Sequence, residues 1–531
     1  GYDINFEAAS INGTILQDQI IANYSFAGVG GKLKVINTSF GEINFLREIN
    51  GSGLNFSNVI IIRNNSAFSN DTVGAFGLNK TANITLYGLK QNLINPRIIR
   101  DGATCTQAMG CYNFTALTAG TVSFNVSGFS NYSISETPAI SFSNPTFANN
   151  TKILPTGGAQ VNISINSTGL TEFTWNWNGT NYTMYNDSLV LMMNFENLSD
   201  LGENQTFVRD NSIYGNNAST VINATLISGG GKYGNAFYFN RSLLSDGVYI
   251  NPIGVYRLEN TSLTTWIKRD SIGHWTSIFG RCSTDWYFGI NPSNQLVVSW
   301  TNSSGQQKTC SPLTVTDTDW HFVGFTATIN VNGIVNVTIY RDGIGSSCTN
   351  TEGMASVYRT MFIGSMNSSC SVPGGTVFNG TIDEVKIWNR SLSADEINQT
   401  YYSGLYRLGN TSWEFYSNKT NLTRGLSTYQ GIVKDGSGTQ NQTEVRTIRV
   451  NSLPSVTLST PTIWNQTTNR TPSFTWTSSD YDSDAMTYEL NLTCYVTTGG
   501  GCSGKGSDER YVQAIAGTTH NLAGDLQYLI D

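Results

Sequence analysis

The chain has 531 residues, too many for one hydrophobic core, and at roughly 100 to 200 residues per domain it should divide into three to five. Charged side chains make up 13% of it, against about 25% in an average soluble protein, so solubility has to come from something other than charge. The net charge of -7, with Lys and Arg scattered singly, offers no basic stripe to a phosphate backbone and argues against nucleic acid as a partner.

The missing hydrophilicity is supplied by Asn-x-Ser/Thr acceptors, some three dozen of them, from Asn12, Asn23 and Asn37 to Asn465, Asn469 and Asn491. About a fifth of residues are Ser or Thr, so chance would put about a fifth of the Asn residues in such a motif, and well over half are. Acceptors at this density imply N-glycosylation and an extracellular or cell-surface location. The eight cysteines agree, because they fall in even clusters with no C-x-x-C metal or redox spacing. Disulfides are expected within clusters: Cys105 to Cys111, Cys494 to Cys502, and two bridges among Cys282, Cys310, Cys348 and Cys370. The simplest pairing of those four is Cys282 to Cys310 and Cys348 to Cys370, one of three that four cysteines allow. No apolar run reaches the length of a membrane span and the chain does not open on a signal peptide, so any membrane anchor is expected outside this stretch.

In chain order, short β-branched or alternating runs such as Val59-Ile60-Ile61-Ile62, Thr121 to Val126 and Val161 to Ile165 recur between Gly, Asn and Ser turns. They predict an all-β, multidomain array of β-sandwiches. Residues 1–136 read as an N-terminal module in which Arg100-Asp101-Gly102, ahead of Cys105 and Cys111, marks a disulfide-pinned hairpin. Residues 137–187, with Pro138 and Pro145 at a linker and edge strand, resemble the opening half of an immunoglobulin-like domain. The second half does not follow directly. It is found instead after residue 405, in Tyr429 to Asp435 and Thr443 to Ile448, so residues 137–187 and 406–450 are expected to form one discontinuous domain. Insertions of this kind survive where the host's ends are close and exposed.

The inserted segment, 188–405, opens on Leu189 to Phe195 and carries four phrases in order. They are Asp210-Asn211-Ser212-Ile213-Tyr214-Gly215-Asn216, then Gly234 to Phe239, then Trp320-His321-Phe322-Val323 with Val337 to Gly343, and finally Gly380-Thr381-Ile382-Asp383-Glu384-Val385 through Ser393. Together they resemble the laminin G-like jelly rolls of the concanavalin A-like lectin superfamily. The one helix signal is a capping box, Ser393 with Glu396 three residues on. Residues 451–531 resemble the first strands of a fibronectin type III domain, in Pro472 to Trp476 and Thr487 to Leu490, and stop about one strand pair short of it.

The jelly-roll resemblance obliges a search for chemistry, since the superfamily includes glycoside hydrolases, which need two carboxylates roughly 5 to 10 Å apart. The nearest candidates, Asp383 and Glu384, are adjacent on a strand, and strict alternation would turn them to opposite faces. A non-enzymatic protein is therefore expected. His274, His321 and His520 lack nucleophile or metal partners, and His321 is expected to pack within its strand. Asp480, Asp482 and Asp484 imitate an EF-hand, but Ala485 and Asn491 stand where Gly and a bidentate Glu are required. Among eleven tryptophans, most of them expected in the core, Trp286 in its Cys-flanked loop is the candidate for stacking on a ligand.

The resemblance further implies one structural calcium ion joining the early turn to the closing strand, held by Asp210, Asn216 and Asp383. It also implies a surface adhesion protein of the kind glycosylating archaea carry, binding glycan or a surface protein. The alternative is a structural glycoprotein of an S-layer or filament, with self-association as its chemistry; a glycoside hydrolase accessory region ranks behind both.

Overall fold

The structure, a computed structural model, describes residues 4–5, 12–18, 21, 23–25, 32–50, 52–69, 76–91, 93–154, 156–243, 246–250, 258, 260–280, 286–302, 304–330, 334–350, 361–366, 376–460, 473–492, 510–515 and 519–521. The all-β expectation holds: the described residues form many sheets, and the one helix longer than a single turn is Ala394–Tyr402. That helix starts where the capping box puts it. Ser393 Oγ accepts from the Glu396 amide at 3.2 Å and Glu396 Oε2 accepts from the Ser393 amide at 2.8 Å. The chain separates into two compact units, one of residues 1–146, 160–418 and 428–445, the other of 147–159, 419–427 and 446–531.

Within the first unit, the N-terminal module packs a five-stranded sheet on a six-stranded one. Strands Gly41–Phe45 and Val122–Val126 alternate buried and half-buried residues, sending Ile43, Phe45, Val122, Phe124 and Val126 into one core. The Asp101-Gly102 turn, both residues at positive φ, closes a hairpin between Arg97–Arg100 and Ala103–Thr104. Cys105 then bridges to Cys111, which starts a strand of the other sheet, so this disulfide joins the two layers.

Strands on either side of the 188–405 segment pair with each other. Leu170–Trp177 hydrogen-bonds to Thr180–Tyr185 on one edge and to Gly425–Asp435 on the other, with Trp175 opposite Gly431. Phe173, Trp175, Phe415 and Tyr429 form the aromatic centre of this sandwich, with Phe173 and Phe415 4.8 Å apart.

The jelly roll packs an eight-stranded sheet on a seven-stranded one. In the first, the closing strand Gly380–Trp388 lies between Thr261–Arg269 and the strands Ala236–Phe239 and Leu189–Met193. The core between the sheets draws on Leu191, Phe237, Leu263, Phe288, Val298, Phe325, Ile339 and Ile382. Cys310 is bonded to Cys348, which overturns both expected bridges, Cys282 to Cys310 and Cys348 to Cys370. The reason is geometric: Gln307–Thr314 and Ile344–Asn350 are the outermost strands of the two sheets, and a sandwich brings such edges face to face whatever their separation along the chain. Cys282, Cys370, Cys494 and Cys502 lie outside the described residues.

In the second unit, Thr151–Ile153 runs parallel to Ile448–Val450, Ser455–Thr460 pairs with Ser473–Ser479, and Tyr488–Leu492 pairs with Arg510–Ile515. The three aspartates of its EF-hand-like phrase are tied to separate partners, Asp480 accepting from the Asp482 amide at 2.7 Å. Asp484 pairs with Lys152 and accepts from Asn451, while Asp482 accepts from the Ser452 amide and faces Arg424.

Candidate functional site

The closing strand carries the residues from which sequence reasoning expected most, and one extra residue changes their geometry. Trp266 faces Asp383 and Thr264 faces Lys386, so the closing strand takes three steps where its partner takes two. Glu384 sits at this bulge with φ +54°. Ile382, Val385 and Ile387 all enter the core, which turns Asp383 and Glu384 both away from it. The alternation argument that set them on opposite faces is therefore wrong, because a bulge inserts one residue into a period of two.

The paired carboxylates form the floor of a buried acidic cluster. Glu384 accepts from Asn194 Nδ2 at 2.8 and 3.0 Å and from Lys386 Nζ at 2.9 Å. Asp383 Oδ1 accepts from the Glu384 amide at 2.8 Å and Oδ2 from the Tyr233 amide at 3.1 Å. Burial, and then the charge of Glu384, push Asp383 well above the usual carboxylate range. Glu196, on the chain leaving the first strand, accepts from the Asn235 amide at 3.3 Å and is pushed up to about 7, chiefly by burial. Tyr233 lies over this floor with its ring 5.6 Å from that of Tyr406, whose hydroxyl is buried and unpartnered. Beside them Trp266 stacks on Tyr401 at 5.7 Å and takes Lys232 Nζ over its face at 4.2 Å. Asp383 and Glu384 are 0% and 3% exposed, so the pair that could do acid–base chemistry is sealed from a saccharide.

The three residues expected to hold calcium do not meet. Asp210 Oδ1 accepts from the Met192 and Ser212 amides, and Oδ2 from Ser212 Oγ and the Asn216 amide. Those four donors use the carboxylate to pin the early turn to the first strand, and Asn216 Nδ2 adds a bond to the Val190 carbonyl. Asp383 keeps the separate donors described above. Among the described residues no group of three or more His, Cys, Asp or Glu side chains is placed to hold a metal. This donor set does not fit the ion: hydrogen-bond donors occupy the positions that about six to eight oxygen ligands would need to share.

Trp286 is not a ligand platform. It is 0% exposed, lies 5.6 Å from Phe279 and meets Phe325 edge-on, so it belongs to the core. The tryptophan this domain presents is Trp275, 45% exposed, with Ile272 beside it on the loop between Thr261–Arg269 and Thr276–Gly280. The loop is held from below: the Gly273 amide donates to Asn294 Oδ1 at 2.8 Å, and Asn379 Nδ2 donates to Ser271 Oγ at 3.0 Å. The buried Arg269 guanidinium fastens the same Asn294 and the Val315 carbonyl. The sequence signal was available, in a Gly-His-Trp phrase between two strands, but periodicity alone does not separate a loop Trp from a strand Trp. His321 is likewise not a simple strand-packing residue. Its ring nitrogens meet Asp342 Oδ2 at 2.7 Å and Asp317 Oδ1 at 2.8 Å, and these contacts raise it above the ordinary histidine range.

A family model described as the concanavalin A-like lectin/glucanases superfamily matches residues 244–398, within the jelly roll. No curated protein matches the chain. Among solved structures, domain 4 of AbnA, an extracellular arabinanase from Geobacillus stearothermophilus, in complex with arabinotriose, is 18% identical. It aligns over 40% of this chain and 97% of its own, with a TM-score of 0.29. The binding domain of botulinum neurotoxin serotype C1 is 13% identical over 58% of this chain and 83% of its own, with a TM-score of 0.30. Sialidase from Trypanosoma rangeli is 11% identical over 70% and 61%, also with a TM-score of 0.30. Likenesses this distant carry no residue roles across.

Proposed function

We propose that the chain is an extracellular surface glycoprotein that uses its jelly roll as a binding module for glycan or protein ligands. The observation that carries this reading is the contrast between a sealed carboxylate pair and an open aromatic. Asp383 and Glu384 lie beneath tyrosine rings, whereas Trp275 stands in solvent on a loop anchored by Asn294 and Asn379. An exposed indole on a rigid support offers stacking area at little cost in side-chain entropy. The distribution of acceptor sites supports it. From residue 261 to 335 the sequence holds one sequon, at Asn302, and that asparagine is 1% exposed with its side chain closing a hairpin turn onto Gln306. The Trp275 loop itself thus carries no acceptor, while its anchor Asn379 heads one, Asn379-Gly380-Thr381.

The disulfides at Cys105–Cys111 and Cys310–Cys348 suit an oxidising compartment, and no helix among the described residues is long and apolar enough to cross a membrane. The test is a glycan array, with a parallel pull-down of surface proteins, using the chain and its Trp275→Ala variant. Ligand capture that the variant loses supports the proposal, and a chain that captures nothing in either format favours the scaffold reading.

A further inference from the structure

Two buried acids outside the jelly roll, Glu136 and Asp435, sit at the junction of the N-terminal module with the sandwich that flanks the jelly roll, and they are 4% and 3% exposed. Their partners are hydroxyls and backbone amides: Ser167 Oγ and the Thr168 amide and hydroxyl for Glu136, the Ser437 hydroxyl and the Ser437 and Thr439 amides for Asp435. Glu384 in the jelly roll is bonded differently. It touches a side-chain amine and a side-chain carboxamide, two groups that can react with each other.

Strand register brings the three groups together. Met192 of the first strand lies opposite Lys386 of the closing strand, and Met193 lies opposite Val385. Met193 and Val385 enter the core, so Lys386 and Asn194, the residue after the first strand, stand with Glu384 on the other face of the sheet. Asn194 Nδ2 donates to Glu384 Oε1 at 2.8 Å and to Oε2 at 3.0 Å, and Lys386 Nζ donates to that same Oε2 at 2.9 Å. Amine and carboxamide thus share one carboxylate oxygen. On the far side of the carboxamide, Asn211 Nδ2 donates to Asn194 Oδ1 at 3.1 Å. Asn194, Asn211, Glu384 and Lys386 are 1%, 2%, 3% and 7% exposed.

We propose that Lys386 and Asn194 become joined by an intramolecular isopeptide bond that the chain makes itself, with Glu384 carrying the protons and Asn211 holding the oxyanion. Attack on Asn194 Cγ needs a neutral amine, which transfer of one Lys386 proton to Glu384 supplies. Burial raises Glu384 above the ordinary carboxylate range and favours the neutral pair over two buried charges. The Nζ lone pair forms the Nζ–Cγ bond as the carbonyl π pair moves onto Oδ1, where the Asn211 side chain already donates. Glu384 passes its proton to Nδ2 and takes one from Nζ, and the Cγ–Nδ2 bond breaks with its electron pair leaving on ammonia. The products are a secondary amide, one ammonia and protonated Glu384, so the step consumes no oxidant and no water. Holding both reactants on one carboxylate supplies proximity, and the near-complete burial of Asn194 keeps water from competing at Cγ. Asn194-Phe195-Glu196 is not a glycan acceptor, which leaves the carboxamide free to react. The bond closes most of the inserted segment into one covalent loop and fastens its first strand to its last. It is independent of the ligand reading for Trp275.

The experiment is peptide mapping by mass spectrometry of the purified whole chain after glycan removal, reduction and trypsin. Wild type should yield a branched peptide carrying both Asn194 and Lys386, lighter than its two arms together by one ammonia, with no cleavage after Lys386. Lys386→Arg, which keeps a cation beside Glu384, should lose the branched peptide completely. Glu384→Gln, which keeps the size of the side chain but not the proton carrier, should lower its yield about tenfold or more. The wild-type map decides the bond even where a variant folds poorly. Wild type cleaved fully after Lys386, with the Asn194 peptide released unlinked, would overturn the proposal and leave an ordinary buried ion pair. A folded Glu384→Gln chain linked as completely as wild type would overturn the role given to Glu384.

Discussion

The jelly roll and the module junction each bury two carboxylates, and they treat them differently. In the jelly roll, Glu384 has an ammonium and an amide as partners, and Asp383 has two backbone amides. At the junction, Glu136 is fully supplied while one oxygen of Asp435 has nothing. Burial alone therefore does not say what an acid is for. A carboxylate whose donors are complete is holding strands together, whereas one left with an orphan oxygen, like Asp435, is held above its ordinary range by burial.

The largest effect that separates the two sites should come from Lys386→Met. Removing the cation leaves Glu384 buried without its charge partner, and such losses cost about 3–5 kcal/mol. Urea unfolding of the chain should show it. A variant as stable as wild type would mean that Glu384 is protonated and needs no partner. Cys310→Ser, which frees the two sheet edges, comes next at about 2–4 kcal/mol, read in the same unfolding series.

Glu196 should give the chain a pH-dependent stability. Its folded value, about 7, lies above the unfolded carboxylate value, so its contribution is complete below about pH 4.5 and is lost as pH rises through 7. Discounted for solvent screening, the effect is about 1 kcal/mol. Melting from pH 5 to 8 should fall less steeply in Glu196→Gln than in wild type, and parallel curves would refute the assignment. His321 should be the smallest. Its raised value means that its bonds to Asp342 and Asp317 stabilise the protein fully below about pH 6.5 and weaken as pH rises through the folded value. Arg341 and Lys232 are the cations near these aspartates, and an NMR titration of His321 in the Asp342→Asn variant should move downward.

What the sequence could disclose depended on how local the cause was. Ser393 and Glu396 lie three residues apart and specify a helix start by themselves, and that helix is where they put it. Cys105 and Cys111 were legible for the same reason. Cys310 and Cys348 were not, because which sheet edges meet is decided by the whole sandwich. The facing of Asp383 and Glu384 was misread for one inserted residue, visible only in the register against Thr264 and Trp266. Trp286 and Trp275 stand in equally polar text, and only packing separates the buried one from the exposed one. Asp435 carried no signal at all: its burial follows from the bonding of its turn to the one beside Glu136, which is remote in sequence.

The central claim, a sealed sandwich that binds through an exposed loop, is tested most directly by comparing Trp275→Ala with the double variant Asp383→Asn, Glu384→Gln on the same glycan array, with saccharide turnover followed in parallel. The account predicts that ligand capture is lost in Trp275→Ala, that the double variant, where it folds, still captures the ligand, and that no protein turns over any saccharide. Saccharide cleavage by wild type that disappears in the double variant, with capture unchanged in Trp275→Ala, would contradict it.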